Sequence, residues 1–318
     1  MQHTFKSFGD FAATVRAAAL RDTKAQRAIS TFSSGINGPD GGYAIPTDFA
    51  EQIFMVDQDS LAARCEMIPS LSRNIDVPTD GSMPWSSTGI IAHWIGAEGT
   101  VHTPRKPELS LAEHKLKPLV VLVPASKELV EDSMAFNAWL PTAMQRAITW
   151  ELNDAIINGT GAGVPLGILK SSAAIEVAKE TSQTAATIND GNITKMLARS
   201  LEPMKATWVA SPVAYSQLVA LSSFDSATRT LAGLPIVLTD ACAAVGTVGD
   251  LVLAGLNGYR VVSKALRFAE SAHMSFDEDL HMFRVVLQVD GQPILPGPVT
   301  PPNSATTRSH FVTVATRA

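Results

Sequence analysis

An α+β fold is predicted for this 318-residue chain by three observations. A long amphipathic helix runs into a glycine-rich turn over 136–169. Two polar-alternating strands with an irregular tip make an extended hairpin over 73–118. Helices and strands then alternate over 190–281, and further strands follow. The length allows two or three domains' worth of core.

In chain order, residues 5–29 read as a helix with Phe8, Phe11, Val15, Ala18 and Ala19 roughly along one face. Lys6, Arg16, Arg21, Lys24 and Arg27 exceed Asp10 and Asp22, so this arm is basic. Either it lies near nucleic acid or an acidic partner, or the charges form a solvated helix face. Residues 30–42 are a linker of Gly, Ser, Asn, Pro and Asp. A helix-patterned stretch from Asp48 to about Val56 follows Gly41-Gly-Tyr-Ala-Ile-Pro46. In the hairpin, Arg73-Asn-Ile-Asp-Val-Pro78 and Leu109-Ser-Leu-Ala-Glu-His-Lys-Leu-Lys117 alternate like strands. An isolated two-stranded hairpin is marginal in water, so this one needs a neighbour, in the same chain or another. Leu119-Val-Val-Leu-Val123 reads as a buried strand, and Ser126 as the N-cap of a helix with Leu129 and Val130 inward.

The long helix places Phe136, Leu140, Met144, Ala147, Ile148, Leu152, Ala155 and Ile156 on one face, in steps of three and four. Gln145, Arg146, Thr149, Asn153 and Asp154 occupy much of the other side. Pro141 either begins this helix or kinks it. Gly159 is expected to take positive φ just past the last turn. The run Thr160-Gly-Ala-Gly-Val-Pro-Leu-Gly-Ile-Leu169 then leads into an apolar, strand-like stretch. A phosphate loop follows a strand and opens a helix. Here the glycines follow a helix and no Gly-Lys-Ser/Thr is present, so a structural turn is the better reading.

Beyond it, 192–202 is a helix stopped by Pro203, and Thr207-Trp-Val-Ala210 a strand. Ser211-Pro212 caps a helix running to about Leu221. Strands are expected at 234–238, 251–254, 259–262, 267–271 and 282–289, the last ended by Asp290-Gly291. A proline-rich tail precedes a final strand at 310–314.

Composition excludes several classes. A net charge of -5 is not that of a typical nucleic-acid binder. At 17% charged residues, charge is sparse, as suits a chain largely covered by neighbours. Cys65 and Cys242, the only cysteines, read as buried thiols in a reducing compartment. No apolar run reaches the roughly 18 residues of a membrane span. The start Met1-Gln-His-Thr-Phe lacks the form of a secretory signal, so synthesis in cytosol is expected. His93, His102 and His114 lack the spacing of a helical metal motif and are expected to be exposed or at an interface. Asp277-Glu-Asp279 reads as a solvated turn, and no Gly-x-Ser-x-Gly elbow is present. No catalytic, cofactor or metal residue is assigned. Trp85, Trp94, Trp139, Trp150 and Trp208 read as core or interface anchors.

Taken in order, these segments resemble the tailed-phage major capsid proteins of the Hong Kong 97 (HK-97) type fold. Gly41-Gly-Tyr-Ala-Ile-Pro46 resembles the start of the family's ordered domain, and the hairpin with Trp94-Ile-Gly-Ala-Glu98 its extended loop. Val123-Pro-Ala-Ser-Lys-Glu-Leu-Val-Glu-Asp132 resembles the helix entry before the spine helix, and Gly163-Val-Pro-Leu-Gly-Ile-Leu169 the turn after it. Gly233-Leu-Pro-Ile-Val-Leu-Thr-Asp240, Gly249-Asp-Leu-Val-Leu253 and Phe283-Arg-Val-Val-Leu-Gln-Val-Asp-Gly291 resemble the axial-domain and return-strand pattern. Each motif alone is unspecific; their shared order over about residues 41–300 carries the resemblance.

The resemblance implies an icosahedral shell of pentamers and hexamers of this chain around phage double-stranded DNA. A separate scaffolding protein, a portal and a decoration protein are the other implied partners; no membrane is involved. The virion is the implied location, after synthesis in the host cytoplasm. The expected divisions are an arm and linker at 1–42, peripheral domain at 43–72 and 119–190, and extended loop at 73–118. The axial domain is expected at 191–281, and the return strand with the last peripheral part at 282–318. Trp94, Ile95 and Trp85 are the inter-subunit contact candidates, and Arg16, Arg21, Lys24 and Arg27 the basic arm. Many members carry a charged, helical scaffolding segment that a protease removes. Met1 stands only a short way before Gly41, so that segment is expected to be absent or already removed. Some relatives join a loop lysine to an asparagine of another subunit. Lys106, Lys115 and Lys117 are the lysines at hand and Asn303 a late-lying asparagine. Lys115 and Lys117 are placed on the solvent face of a strand, so a shell held without covalent chemistry is expected. Two other readings stand beside this one: an encapsulin-like nanocompartment shell, and a cytosolic α/β nucleotide-binding enzyme using the glycine run.

Overall fold

The structure, a computed structural model, describes residues 42–44, 60–83, 85, 90, 92, 94, 106, 109–126, 134–275 and 280–317. In chain order they form β1 (Gly42–Ala44), β2 (Glu66–Pro69), β3 (Asn74–Asp80), β4 (Leu109–Lys115), β5 (Lys117–Ser126) and α1 (Met134–Asn158). Then come β6 (Ala174–Val177), α2 (Asp190–Arg199), β7 (Thr207–Ala210), α3 (Pro212–Leu218), β8 (Phe224–Asp225), β9 (Thr230–Leu231) and β10 (Leu234–Leu238). The chain ends with β11 (Leu251–Ala254), β12 (Tyr259–Ser263), β13 (Arg267–Ser275), β14 (Leu280–Pro293) and β15 (Phe311–Val314). The N-terminal arm, the helix expected from Asp48, most of the hairpin tip, the helix expected after Ser126 and the Asp277–Asp279 run lie outside the described residues.

One core lies between α1 and a six-stranded sheet ordered β1-β13-β14-β12-β2, with β5 also on β14. Leu140, Met144, Ile148, Leu152 and Ile156 are buried on α1 at steps of four, so one stripe faces Phe283, Val285, Leu287 and Val289 of β14. Pro141 lies inside α1 rather than at its start. Asn153, expected on the polar side, is buried, and its Oδ1 accepts the Leu61 N–H at 3.0 Å. That bond ties the chain before β2 to the helix.

The second core surrounds a seven-stranded sheet ordered β6-β15-β11-β7-β10-β9-β8. All residues of β7, β11 and β15 are buried, because alternate side chains enter different cores. Val209, Val252 and Phe311 join the α1 core. Trp208, Leu253 and Val312 join the core beneath α2 and α3. The Ser211 side chain accepts from Ala214 N, with Pro212 in the first helical turn, as the capping pattern requires. The final strand of the chain is therefore interior to this sheet, between β6 and β11. By contrast β12 and β13, assigned in sequence to the 191–281 unit, pair with β14 in the six-stranded sheet.

Ser126 is the last residue of β5, and the helix it was expected to cap lies outside the described residues. Several local expectations are corrected. Residues 119–123 are not fully buried: Val120 and Leu122 point outward from β5, while Leu119, Val121 and Val123 face the core. Asp290-Gly291 does not end β14, which continues to Pro293. The strand expected after the glycine run is instead a bridge of Leu166 to Thr160 and a 3-10 turn at Ile168–Lys170. Positive φ occurs at Gly161 and Gly163 but not at Gly159. Gly159 is needed for close approach: a Cβ there would collide with the Pro165 and Ala155 carbonyl oxygens, while one on Gly163 would meet open space. Gly159→Ala is accordingly expected to lower stability by about 1–3 kcal/mol, and Gly163→Ala by no more than the left-handed cost of about 1–2 kcal/mol. Thermal melts of both variants check the order; equal midpoints would contradict the collision.

Candidate assembly surface

The hairpin has two unlike faces. β3 and β4 pair antiparallel from Asn74↔Lys115 to Asp80↔Leu109. Ile75, Val77 and Thr79 of β3 and Ala112 and His114 of β4 are the half-buried or buried positions, and they turn toward the subunit's own body. The outward face carries Pro78, Leu109 and Leu111 toward the tip, and Glu113 and Lys115 toward the root. Glu113 and Lys115 pair with each other at 2.9 Å. Leu111 is 70% exposed and Trp94, at the tip, fully exposed. Apolar side chains held in water at the end of an arm mark a surface that a partner covers.

Trp85 is exposed, and its Nε1 donates to Thr300 O at 3.2 Å, so it leans on the proline-rich tail. Ile95 and the basic arm residues Arg16, Arg21, Lys24 and Arg27 lie outside the described residues. The structure thus brings Trp85, not Trp94, onto the subunit. Leu122 is 54% exposed on the outer face of β5, between Val120 and Pro124. That strip, on the six-stranded sheet, is a second exposed apolar surface beside the hairpin's.

The residues that aim the hairpin were not legible as a site in the sequence. His114, expected to be exposed or at an interface, is completely buried within the chain, and its Nδ1 lies 3.2 Å from Asp290 Oδ2. Its Nε2 lies 3.3 Å from Gln292 Nε2. Lys117 does not share the solvent face with Lys115. Its Nζ donates to Gly161 O at 2.7 Å and Val164 O at 2.6 Å, and sits 3.6 Å from Asp290 Oδ1. Further out, Arg260 donates to Thr79 Oγ1 at 3.0 Å and pairs with Glu66 at 2.8 Å. The hairpin is thereby pinned to β12 and β14, and the turn after α1 is pinned to the hairpin root. An Asp-Gly inside an apolar strand was the one available signal, and it read as a strand end.

The remaining chemistry is quiet. Burial pushes the Cys65 and Cys242 thiols up to about 12, so both stay protonated. Among the described residues no group of three or more His, Cys, Asp and Glu is placed to hold a metal. No helix among them is long and apolar enough to cross a membrane.

Residues 41–303 match the family described as the Phage capsid family. Among solved structures, the chain resembles the capsid of a native GTA particle at TM-score 0.63 and 15% identity, over 82% of this chain and 91% of that one. It resembles a chain of Mycobacterium phage Adephagia at TM-score 0.54 and 14% identity, over 92% and 98%. A satellite phage P4 procapsid chain, from a structure that includes the size determination (Sid) protein, is similar at 0.54 and 10%, over 85% and 99%. No curated protein matches the chain. At these identities the structural likeness is one of fold, the HK-97-type α+β architecture.

Proposed function

This chain belongs to the phage capsid family, and from that premise we propose that it assembles as pentamers and hexamers into an icosahedral shell enclosing double-stranded DNA. The chain is a structural capsid shell protein; the encapsulin-like alternative is not favoured over it. The observation that carries the proposal is the pair of uncovered apolar surfaces: the hairpin tip with Leu109, Leu111 and Trp94, and the β5 strip with Val120 and Leu122. In this reading a neighbour's hairpin lies on the six-stranded sheet and buries both. Trp94 and Ile95 are the inter-subunit anchors, and Trp85 sets the departure of the tip. Residues 60–70, 117–158 and 259–293 act as the peripheral unit, and 171–254 with 305–317 as the axial unit, a division that follows the sheet membership. The basic arm meets DNA or an acidic partner, and scaffolding, portal and decoration proteins are supplied separately. The protein resides in the virion after synthesis in host cytoplasm.

Purified protein, alone or with a scaffold, is expected to form closed particles or capsomers in negative stain. A species that stays monomeric at high concentration with scaffold supplied overturns the proposal. Boiled particles are expected to run as single chains on a denaturing gel. Lys117, the lysine nearest the root, already spends its donors on two carbonyls. A ladder of covalent oligomers removed by Lys106→Ala or Lys115→Ala would refute this.

A further inference from the structure

Backbone hydrogen bonds fix which way β4 and β5 offer their unpaired groups. Gln288 of β14 sits opposite Pro118 of β5, and its carbonyl accepts the Lys264 N–H at 2.8 Å on the other side of β14. Pro118 and Gln288 are therefore a non-hydrogen-bonded pair. By alternation Pro118, Val120, Leu122 and Pro124 all turn their backbone groups away from β14. Both prolines suit that side, since neither has an N–H to give a neighbouring strand. Among the described residues β14 is the one strand paired with β5. The outer edge of β5 thus lacks a donor at each end and is open between, where the Val120 and Leu122 N–H groups have no partner.

The hairpin has one guarded edge and one bare edge. Leu116 N–H donates to Arg73 O at 2.9 Å, so Ser110, Ala112 and His114 turn their backbone groups toward β3, and Leu109, Leu111 and Glu113 turn theirs away. In β3 the outward set is Asn74, Asp76, Pro78 and Asp80, and two carboxylates and a proline blunt that edge. The free edge of β4 has no such guard at Leu109 and Leu111, whose side chains are exposed. One edge of the subunit therefore offers Leu109 and Leu111, another Val120 and Leu122. Each offers two backbone N–H groups beside apolar side chains held in water.

We propose that these two edges join. Resting on the self-assembly reading, β4 of one copy adds to β5 of the next as an antiparallel strand, so that the six-stranded sheet continues into the neighbour. With Leu111 opposite Val120 and Leu109 opposite Leu122, all four N–H groups find carbonyls across the join. The four side chains then share one face and cover one another, as cross-strand pairs do. Pro118 and Pro124 confine the donors to the residues between them, which limits the register. The join sets two different surfaces together, so it is heterologous: it repeats from copy to copy and leaves no open edge once a ring closes.

The test is hydrogen exchange, read by mass spectrometry on full-length subunits and on assembled particles. Val120 and Leu122 are expected to exchange fast in the subunit and about tenfold or more slowly in particles, together with Leu109 and Leu111. Asp76 and Asp80, on the guarded edge, are expected to stay fast. Particles in which Val120 and Leu122 exchange as in the free subunit overturn the join and leave self-assembly standing. Protection of Val120 and Leu122 without Leu109 and Leu111 assigns the edge to another strand, and overturns the hairpin as its occupant. A chain that forms no particles with scaffold supplied removes both readings. Leu122→Pro deletes one outward N–H and spares the bonds to β14, whereas Leu122→Val keeps the N–H and an apolar side chain. The first is expected to cut particle yield about fivefold or more with circular dichroism unchanged, and the second to leave yield intact. Equal yields from the two variants overturn the join. The exchange measurement uses the unaltered chain, so it decides the matter even where Leu122→Pro fails to fold.

Discussion

Arg317→Ala is expected to lower the unfolding free energy of the subunit by about 3–5 kcal/mol. Arg317 and Asp250 are both fully buried, and their side chains pair through Nη2 and Oδ2. The Arg317 N–H also donates to Gly246 O at 2.7 Å, and Asp250 Oδ2 accepts the Gly246 N–H at 2.8 Å. The pair thus locks the end of the chain to the loop before β11, and holds β15 inside the seven-stranded sheet. Burial pushes the Asp250 carboxyl up, while the Gly246 N–H and Arg317 pull it back. Removing Arg317 leaves a carboxylate in a dry site with only backbone N–H donors, those of Gly246 and Leu251. The expected sign is loss of thermal midpoint, by about 4–8 °C for a chain of this size. Asp250→Asn in the same background removes the orphaned charge, keeps the Gly246 bond, and should recover part of the loss. A midpoint within about 2 °C of the unaltered protein for Arg317→Ala would show that the pair is energetically idle.

Replacing Trp94 and Ile95 with Ser is expected to leave the subunit folded and to abolish most particles. Trp94 touches solvent on every side in the isolated chain, so its removal costs the monomer almost nothing. In a shell each buried aromatic anchor of this kind is worth about 2 kcal/mol or more. The same contact recurs at every subunit, so yield should fall by more than about tenfold. Sedimentation measures the particles and circular dichroism the fold. Normal particle yield with normal thermal stability would remove Trp94 and Ile95 from the interface.

Legibility followed the range of the interaction. α1 was read closely because Leu140, Met144, Ile148, Leu152 and Ile156 repeat at the helical period. The α3 cap was read because Ser211-Pro212 is a local signature. β3 and β4 were read from alternation, and their register agrees with it. Misreadings fell where a residue's partner is distant in sequence. Asn153 looked polar and exposed until Leu61, far upstream, supplied a donor. Lys117 looked like the next outward residue after Lys115. The chain turns at buried Leu116, however, and Lys117 begins a new strand facing the carbonyls of the glycine turn.

Local periodicity and order by themselves determined that this chain has a spine-like helix, an extended hairpin and a mixed α+β body. Those depend on side chains a few residues apart. Only the tertiary structure decided that β15 lies inside the seven-stranded sheet and that β12 and β13 side with β14. It also decided that His114, Asp290 and Lys117 meet at the hairpin root. Strand pairing and buried charge pairs join residues scores of positions apart. Nothing in a strand's own sequence states which edge it will fill, because the backbone hydrogen bonds that bind it are the same for every partner.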